Sequence, residues 1–364
     1  MTESLETSRR DFLKLGAAGL GASIMPTGPS RAATAPAGKK EDLRVDNVIL
    51  IITDTMRRDA VSCYGSQWIH TPHLEAFAQK AVIFDNAYLS SFPTVPLRND
   101  ILTGRYTFTY KPWSPIDEDA VTLQETLGKE GIVTSLVADT PYPFAPGYNY
   151  QRGFAVWQVI RGQLNDPFRS APRDPKLPCA ANTLYGDPEG ERTKQYLRNV
   201  AHRQREEDYF VAQTMITAAD WLEENHDGRR FFLYVDTYDP HEPWDPPHYY
   251  VEPYDPGYNG EEVIAPRYDL WKEFLTEREH QHCRALYAGG VTMVDRWIGF
   301  LLDRIATLDL LKNTAIIVTS DHGYYLGEHR YTGKTLQRGD LMQWLPLYGE
   351  IARIPLLVSR YRNR

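Results

Sequence analysis

Cysteine is scarce: the 364 residues include 3, at Cys63, Cys179 and Cys283. The count is odd, the spacings are wide and no Cys-x-x-Cys pair occurs. A disulfide framework and a cysteine zinc site are therefore excluded, while a single disulfide in an oxidising compartment stays open. A basic excess is lacking too, since 40 lysines and arginines against 48 acidic residues leave a formal charge of −8. That balance is not a nucleic-acid footprint. It does not exclude an anionic substrate, because a metal and a few cations dominate a local field. Beyond the N-terminal segment no apolar run is long enough to span a membrane, and no internal repeat recurs. What is present is an ordinary globular composition, 42% hydrophobic and 24% charged, in a chain long enough for one large domain or two smaller ones. The 23 tyrosines and 8 tryptophans serve as bulk in a core or as stacking surfaces near a cleft.

The N-terminus reads as an address. Arg9-Arg10 precedes the apolar pair Phe12-Leu13, and a Gly- and Ala-rich stretch follows from Leu15 to Met25. Small residues around Ser30, Ala32 and Ala33 offer a cleavage site. The order resembles a twin-arginine export signal. It implies the twin-arginine export machinery as a partner, a periplasmic or secreted location, and passage in folded form. Residues 1–40 are set aside as signal and linker, leaving 41–364 as the folded domain.

Within that domain short β-branched runs alternate with helical patterns. Strands are expected at Asn47–Thr53, Val82–Phe84, Ile132–Ala138, Arg230–Asp236, Thr314–Ser320 and Ile354–Val358. Helices are expected at Leu74–Lys80, Thr122–Glu130, Glu206–Glu224 and His282–Ile305. The segments 141–190 and 240–258 read as loops. Buried strands alternating with helices give an α/β fold: a mostly parallel central sheet with helices on both faces.

In such sheets ligands bind outside the carboxyl ends of the strands. Asp54 ends the first strand, and Asp321-His322 ends a late one. Carboxylates and a neutral imidazole are sound ligands for a divalent cation. Thr94 precedes Arg98 by four residues. If Thr94 opens a helix, Arg98 lies one turn on along the same face. A hydroxyl there can attack a tetrahedral anion beside a guanidinium and a helix N-terminus; the plainer alternative is a capping threonine and a surface arginine.

These residues resemble a known family. Sulfatases carry Cys or Ser, any residue, Pro, a small residue and Arg, followed by Thr-Gly-Arg or Thr-Gly-Lys. Thr94-Val95-Pro96-Leu97-Arg98 with Thr103-Gly104-Arg105 resembles that signature. Asp54-Thr55-x-Arg57-x-Asp59, Cys63-Tyr64-Gly65 and Thr71-Pro72-His73-Leu74 resemble the opening blocks, and Asp239-Pro240-His241-x-Pro243-Trp244 the central one. Ser320-Asp321-His322-Gly323, Leu326-Gly327-Glu328-His329, Gly333-Lys334 and Leu347-Tyr348-Gly349-Glu350 resemble the late ones. The resemblance implies the alkaline phosphatase/sulfatase-like fold and hydrolysis of a small-molecule or carbohydrate sulfate or phosphate ester. It implies one divalent cation, calcium foremost with manganese or magnesium as alternatives, held by Asp54, Asp321 and His322 beside Thr94. Thr94 takes the nucleophile position, Arg98 and Lys334 bind the anion, and His241 contacts the leaving oxygen, with the role of general acid in view. The family also continues beyond the Pro355 strand, so a largely absent C-terminal subdomain is expected.

Three departures stand out. Threonine cannot give the formylglycine that sulfatases make from Cys or Ser. The second acidic metal position is Thr55, and Ala138-Asp139-Thr140-Pro141 stands where the family often has Gly-Lys-Trp-His. Two other readings therefore stay open: a phosphodiesterase or phosphonate monoester hydrolase using Thr94 directly, and a non-catalytic anion- or carbohydrate-binding relative. The export reading has its own test. Changing Arg9 and Arg10 to lysine is expected to leave the protein in the cytoplasm, and normal arrival in the periplasm, measured by fractionation, would refute it.

Overall fold

A computed structural model describes residues 45–186, 189–338 and 341–359. The export signal expected at residues 1–40 lies outside them. Strands β1 (Asn47–Thr53), β2 (Ala81–Ile83), β3 (Val133–Ala138), β4 (Val156–Val159), β5 (Phe231–Thr237), β6 (Thr314–Ser320) and β7 (Leu356–Ser359) form one sheet in the order β2-β7-β6-β1-β5-β3-β4. The pairings β6–β1, β1–β5, β5–β3 and β3–β4 are parallel. Only β7 runs against its neighbours β2 and β6. The main helices are α1 (Pro72–Ala78), α2 (Thr94–Thr103), α3 (Leu123–Lys129), α4 (Glu191–Val200), α5 (Phe210–Asn225) and α6 (Glu277–Thr307).

The two-residue period of a strand sends alternate side chains to opposite faces. In β1, Ile49 and Ile51 join the larger core with Met215 and Leu222 of α5 and Val294 and Ile298 of α6. Leu50 and Ile52 face the other way, into a core with Val95 and Leu102 of α2 and with Tyr150 and Phe154. Both faces are covered, which is why the central strands read as unbroken apolar runs.

The α/β architecture with helices on both faces is as expected; the differences are local. α6 begins at Glu277, five residues before the expected His282, because Thr276 and Glu279 close a capping box: Glu279 N–H donates to Thr276 Oγ1 at 3.2 Å and Thr276 N–H to Glu279 Oε2 at 2.7 Å. α5 starts at Phe210, after a separate short turn at Glu206–Asp208. The segment 141–190 was expected to be loop; it contains β4, an exposed edge strand whose Val156 and Trp157 face solvent. α4 follows it without having been anticipated. The three cysteines are free thiols, so the disulfide left open is not formed. No helix among the described residues is long and apolar enough to cross a membrane.

Candidate active site at the carboxyl ends of the strands

Register brings the strand-end residues together. Thr53 of β1 pairs with Ser320 of β6 and with Thr237 of β5, so Asp54, Asp321 and Asp236 meet at one edge of the sheet. Asp321 N–H donates to Thr53 O at 3.1 Å and Asp54 N–H to Thr237 O at 3.0 Å. Thr55 then turns sharply with φ 67°, a strained value for a β-branched residue. Its neighbours hold it there. Thr55 N–H donates to Asp321 Oδ1 at 2.9 Å, its hydroxyl to Asp54 Oδ1 at 2.7 Å, and its carbonyl accepts from Tyr287 at 3.0 Å. The position where the resemblance expected a second acid thus fixes the rotamer of the first.

Arg98 lies one turn into α2 and is 1% exposed. Its Nε and NH2 clasp both oxygens of Asp236 at 2.8 and 2.7 Å. Its NH1 donates to Asp321 Oδ2 at 2.7 Å and to Thr94 O at 3.0 Å, and passes 3.3 Å from Asp54 Oδ2. Arginine has five N–H donors, and these contacts engage four of them. The resemblance gave Arg98 to the substrate anion; here it is the buried clasp of three carboxylates. Through the shared NH1 it also ties Thr94, the first residue of α2 and 2% exposed, to Asp321.

His322 is fully buried beside the acids, with Nε2 3.8 Å from Asp54 Oδ1 and 3.6 Å from Asp321 Oδ2. Its Nδ1 lies 3.0 Å from Gly323 O. A carbonyl can only accept, so Nδ1 carries the hydrogen and Nε2 presents a lone pair to the carboxylates. Burial, reinforced by Lys334, lowers the His322 pKa to about 3, and the ring is neutral. Burial and then the Asp321 charge push Asp54 up to about 6.

This trio fits a divalent cation. One ligand atom from each of Asp54, Asp321 and His322 lies within 4.8 Å of the others. Asp54 Oδ2 and His322 Nε2 are buried without a hydrogen-bond partner among the described residues, and such orphaned acceptors are costly unless something positive meets them. Asp54, Asp236 and Asp321 share the one guanidinium, which leaves two negative charges uncompensated, the charge a divalent ion brings.

A second group faces this one. His241 Nδ1 lies 2.7 Å from Glu242 O, which again puts the hydrogen on Nδ1. Its Nε2 accepts from Lys334 Nζ at 2.7 Å and lies 2.9 Å from the Tyr238 hydroxyl. Burial, then the Lys334 charge, holds the His241 pKa well below the usual histidine value. The loop after β3, where the family's lysine is missing, has different work. Asp139 accepts from Tyr238 N at 2.5 Å and Thr214 Oγ1 at 2.7 Å, and Thr140 donates to Asp236 Oδ1 at 2.7 Å.

The site thus gathers Asp54, Thr94, Arg98, Asp321 and His322 in one cluster and His241 with Lys334 in another. Sequence reasoning missed Asp236, Glu242 and Tyr268. Asp236 carries the signal that marked Asp54 and Asp321, an acid closing a buried strand. Glu242 and Tyr268 carry none, because tertiary contact alone brings them together.

The sulfatase family model matches residues 46–360. The chain belongs to the sulfatase family. It is 23% identical over 398 residues to an N-acetylglucosamine-6-O-sulfatase of Bacteroides thetaiotaomicron, covering 92% of this chain and 66% of that protein. It is 26% identical over 368 residues to PehA of Trinickia caryophylli, a multifunctional alkaline phosphatase superfamily protein, covering 86% of this chain and 68% of the relative. The fold is similar to that of a phosphonate monoester hydrolase of Agrobacterium radiobacter, at TM-score 0.62 and 20% identity over 86% of this chain and 67% of that one. The chain spans about two thirds of the length of the curated relatives.

The motif blocks outside the cluster hold its loops in place. Arg57 clasps Asp59 at 2.8 and 2.6 Å while its NH1 reaches Tyr324 O at 3.1 Å and Glu328 at 2.9 Å, joining the exits of β1 and β6. Gly323 is required by space: a Cβ there would sit 1.8 Å from Glu350 O, backbone that cannot step aside cheaply. Gly323→Ala is expected to lower unfolding free energy by about 1–3 kcal/mol, as overpacking does. Denaturant titration checks it, and a stability equal to the parent's would show that the turn has slack.

Proposed function

We propose that this chain is an exported, metal-dependent hydrolase of sulfuric or phosphoric esters that uses Thr94 as its nucleophile. The observation that carries the reading is the doubly charge-deficient pocket of Asp54, Asp236 and Asp321 around Arg98, with Thr94 bonded to the same guanidinium. Calcium takes oxygen ligands, and the imidazole of His322 beside two carboxylates suits manganese better. When bound, the cation supplies a Lewis acid that lowers the pKa of a coordinated hydroxyl and polarises the ester oxygen.

The chain's own residues do the rest. Thr94 sits at the N-terminus of α2, where free backbone N–H groups and the helix dipole favour an anion. Arg98 fixes the carboxylates and the Thr94 carbonyl, which holds the first turn of α2 against the acid cluster before any substrate arrives. The Thr94 hydroxyl gives its proton to solvent, its oxygen bonds to the sulfur or phosphorus as the bond to the departing alcohol breaks, and the ester left on Thr94 is opened by water, which returns a proton to the threonine oxygen.

The leaving oxygen needs a proton, and the resemblance assigned it to His241. A neutral ring whose Nε2 already accepts from Lys334 cannot give one. Lys334 is the donor in this arrangement, and His241 orients it.

An unmodified threonine suits phosphoryl transfer at least as well as sulfuryl transfer. The likeness to PehA, by its name multifunctional, supports a site not confined to sulfate, and phosphonate monoesters are the second class to try. Thr94→Ala is expected to cut turnover of aryl sulfate, phosphate or phosphonate esters by several orders of magnitude, about 10⁴-fold or more, while Thr94→Ser keeps much of it. Near-parental turnover by the alanine variant would make Thr94 a helix cap and nothing more.

A further inference from the structure

Glu242 is fully buried and has no part in the chemistry above, yet it touches the residue that orients the proton donor. The Tyr268 hydroxyl donates to its Oε1. Its Oε2 has no hydrogen-bond partner among the described residues and lies 3.1 Å from His241 Nδ1. On the far side of that ring Lys334 Nζ donates to Nε2 at 2.7 Å. Lys334, His241, Glu242 and Tyr268 therefore form one chain. Its packing is specific. The Tyr268 ring packs at a tilt on Tyr185, centroids 4.1 Å apart, and Gly333, with φ 94°, lets it lie where a Cβ would meet it at 2.4 Å. The residue before Lys334 is thus glycine so that the Glu242 partner can pass.

We propose that Glu242 is a positioning residue for ester cleavage: its buried negative charge, relayed through His241, keeps Lys334 protonated to meet the leaving oxygen. The inference rests on the hydrolase reading. A structural role alone would be met as well by glutamine, which would keep a bond to Tyr268. A carboxylate adds charge, and burying one is costly unless that charge is used.

The surroundings leave few competitors. The ionisable groups around Glu242 are His241 and Tyr238 on its own loop, Lys334, Tyr268, and Asp54 at the end of β1. Tyr324 beyond β6 and Tyr142 after β3 also face it, and Arg192 of α4 and His322 act on the His241 ring beside it. Burial raises every one of these tyrosines and lowers His241, so all are neutral near neutrality. Lys334 is the leading charge that counters Glu242, and Asp54 opposes it. Burial pushes Glu242 up to about 7. Its charge is therefore fullest above neutral pH, in the range where Lys334 must hold its proton.

The test is Glu242→Gln. Losing the charge weakens the hold of Lys334 on its proton. The alkaline limb of kcat/KM should move down, by about one pH unit, with little change in KM. Turnover of an ester with a poor leaving group, an alkyl ester, should fall about tenfold or more, while a 4-nitrophenyl ester, whose departure needs no proton, is spared. An unmoved alkaline limb, or equal losses on both esters, overturns the proposal and leaves the hydrolase reading standing. Nitrogen NMR of 15N-lysine-labelled protein reads the Lys334 titration with no substrate present. A lowered midpoint in the variant supports the proposal even if no ester is turned over, and an unchanged one overturns it. Should Glu242→Gln fail to fold, Tyr268→Phe removes a bond that stabilises the carboxylate; the same downward shift, smaller in size, is expected, and its absence overturns the proposal.

Discussion

A buried guanidinium binds three carboxylates at the ends of three different strands, and the rest of the site depends on that arrangement. Arg98 is 1% exposed and its partners Asp54, Asp236 and Asp321 are fully buried. Charges this deep are expensive to desolvate, and they persist only where geometry is good and lone pairs are met. The bidentate clasp on Asp236 and the bond to Asp321 meet that condition for Arg98. They do not meet it for the acids as a set, which outnumber the cation. Burial, and then the neighbouring Asp321 charge, raise the proton affinity of Asp54, and the excess of buried carboxylates over guanidinium is what makes the cluster fit a positive ion.

The second consequence is a division of labour between two neutral histidines and one lysine. His322 and His241 are both held neutral by burial, and each has its Nδ1 hydrogen bonded to a backbone carbonyl. Each therefore offers an Nε2 lone pair inward, His322 toward the carboxylates and His241 toward Lys334. The same local device serves opposite ends: one ring turns its lone pair to a pair of carboxylates, the other to a lysine ammonium. Neither can act as an acid from that state.

Much of this was legible in the sequence, for identifiable reasons. Apolar strands ending in an acid announced Asp54 and Asp321, because a buried strand leaves its polar groups at its ends. The four-residue spacing from Thr94 to Arg98 put both on one face of a helix that did form. What spacing could not give was the direction of the Arg98 side chain, since the Asp236 that claims it lies 138 positions away and meets it through sheet register. Edge strand β4 was hidden in a stretch whose Pro and Gly content reads as loop, and the polar helix α4, just past that stretch, carries few apolar residues to mark its period. The reversed direction of β7 follows from its pairing with β2 and β6, which no local signal encodes. The protonation state of His241 depends on burial and on Lys334, 93 positions on.

The most direct measurement of the charge-deficient pocket is anomalous scattering from crystals of the protein grown or soaked with manganese. One peak bounded by Asp54, Asp321 and His322 is the result the charge imbalance predicts. Ordered density for these residues with no peak between them, at manganese concentrations in the millimolar range, would contradict a metal centre at the ends of these strands.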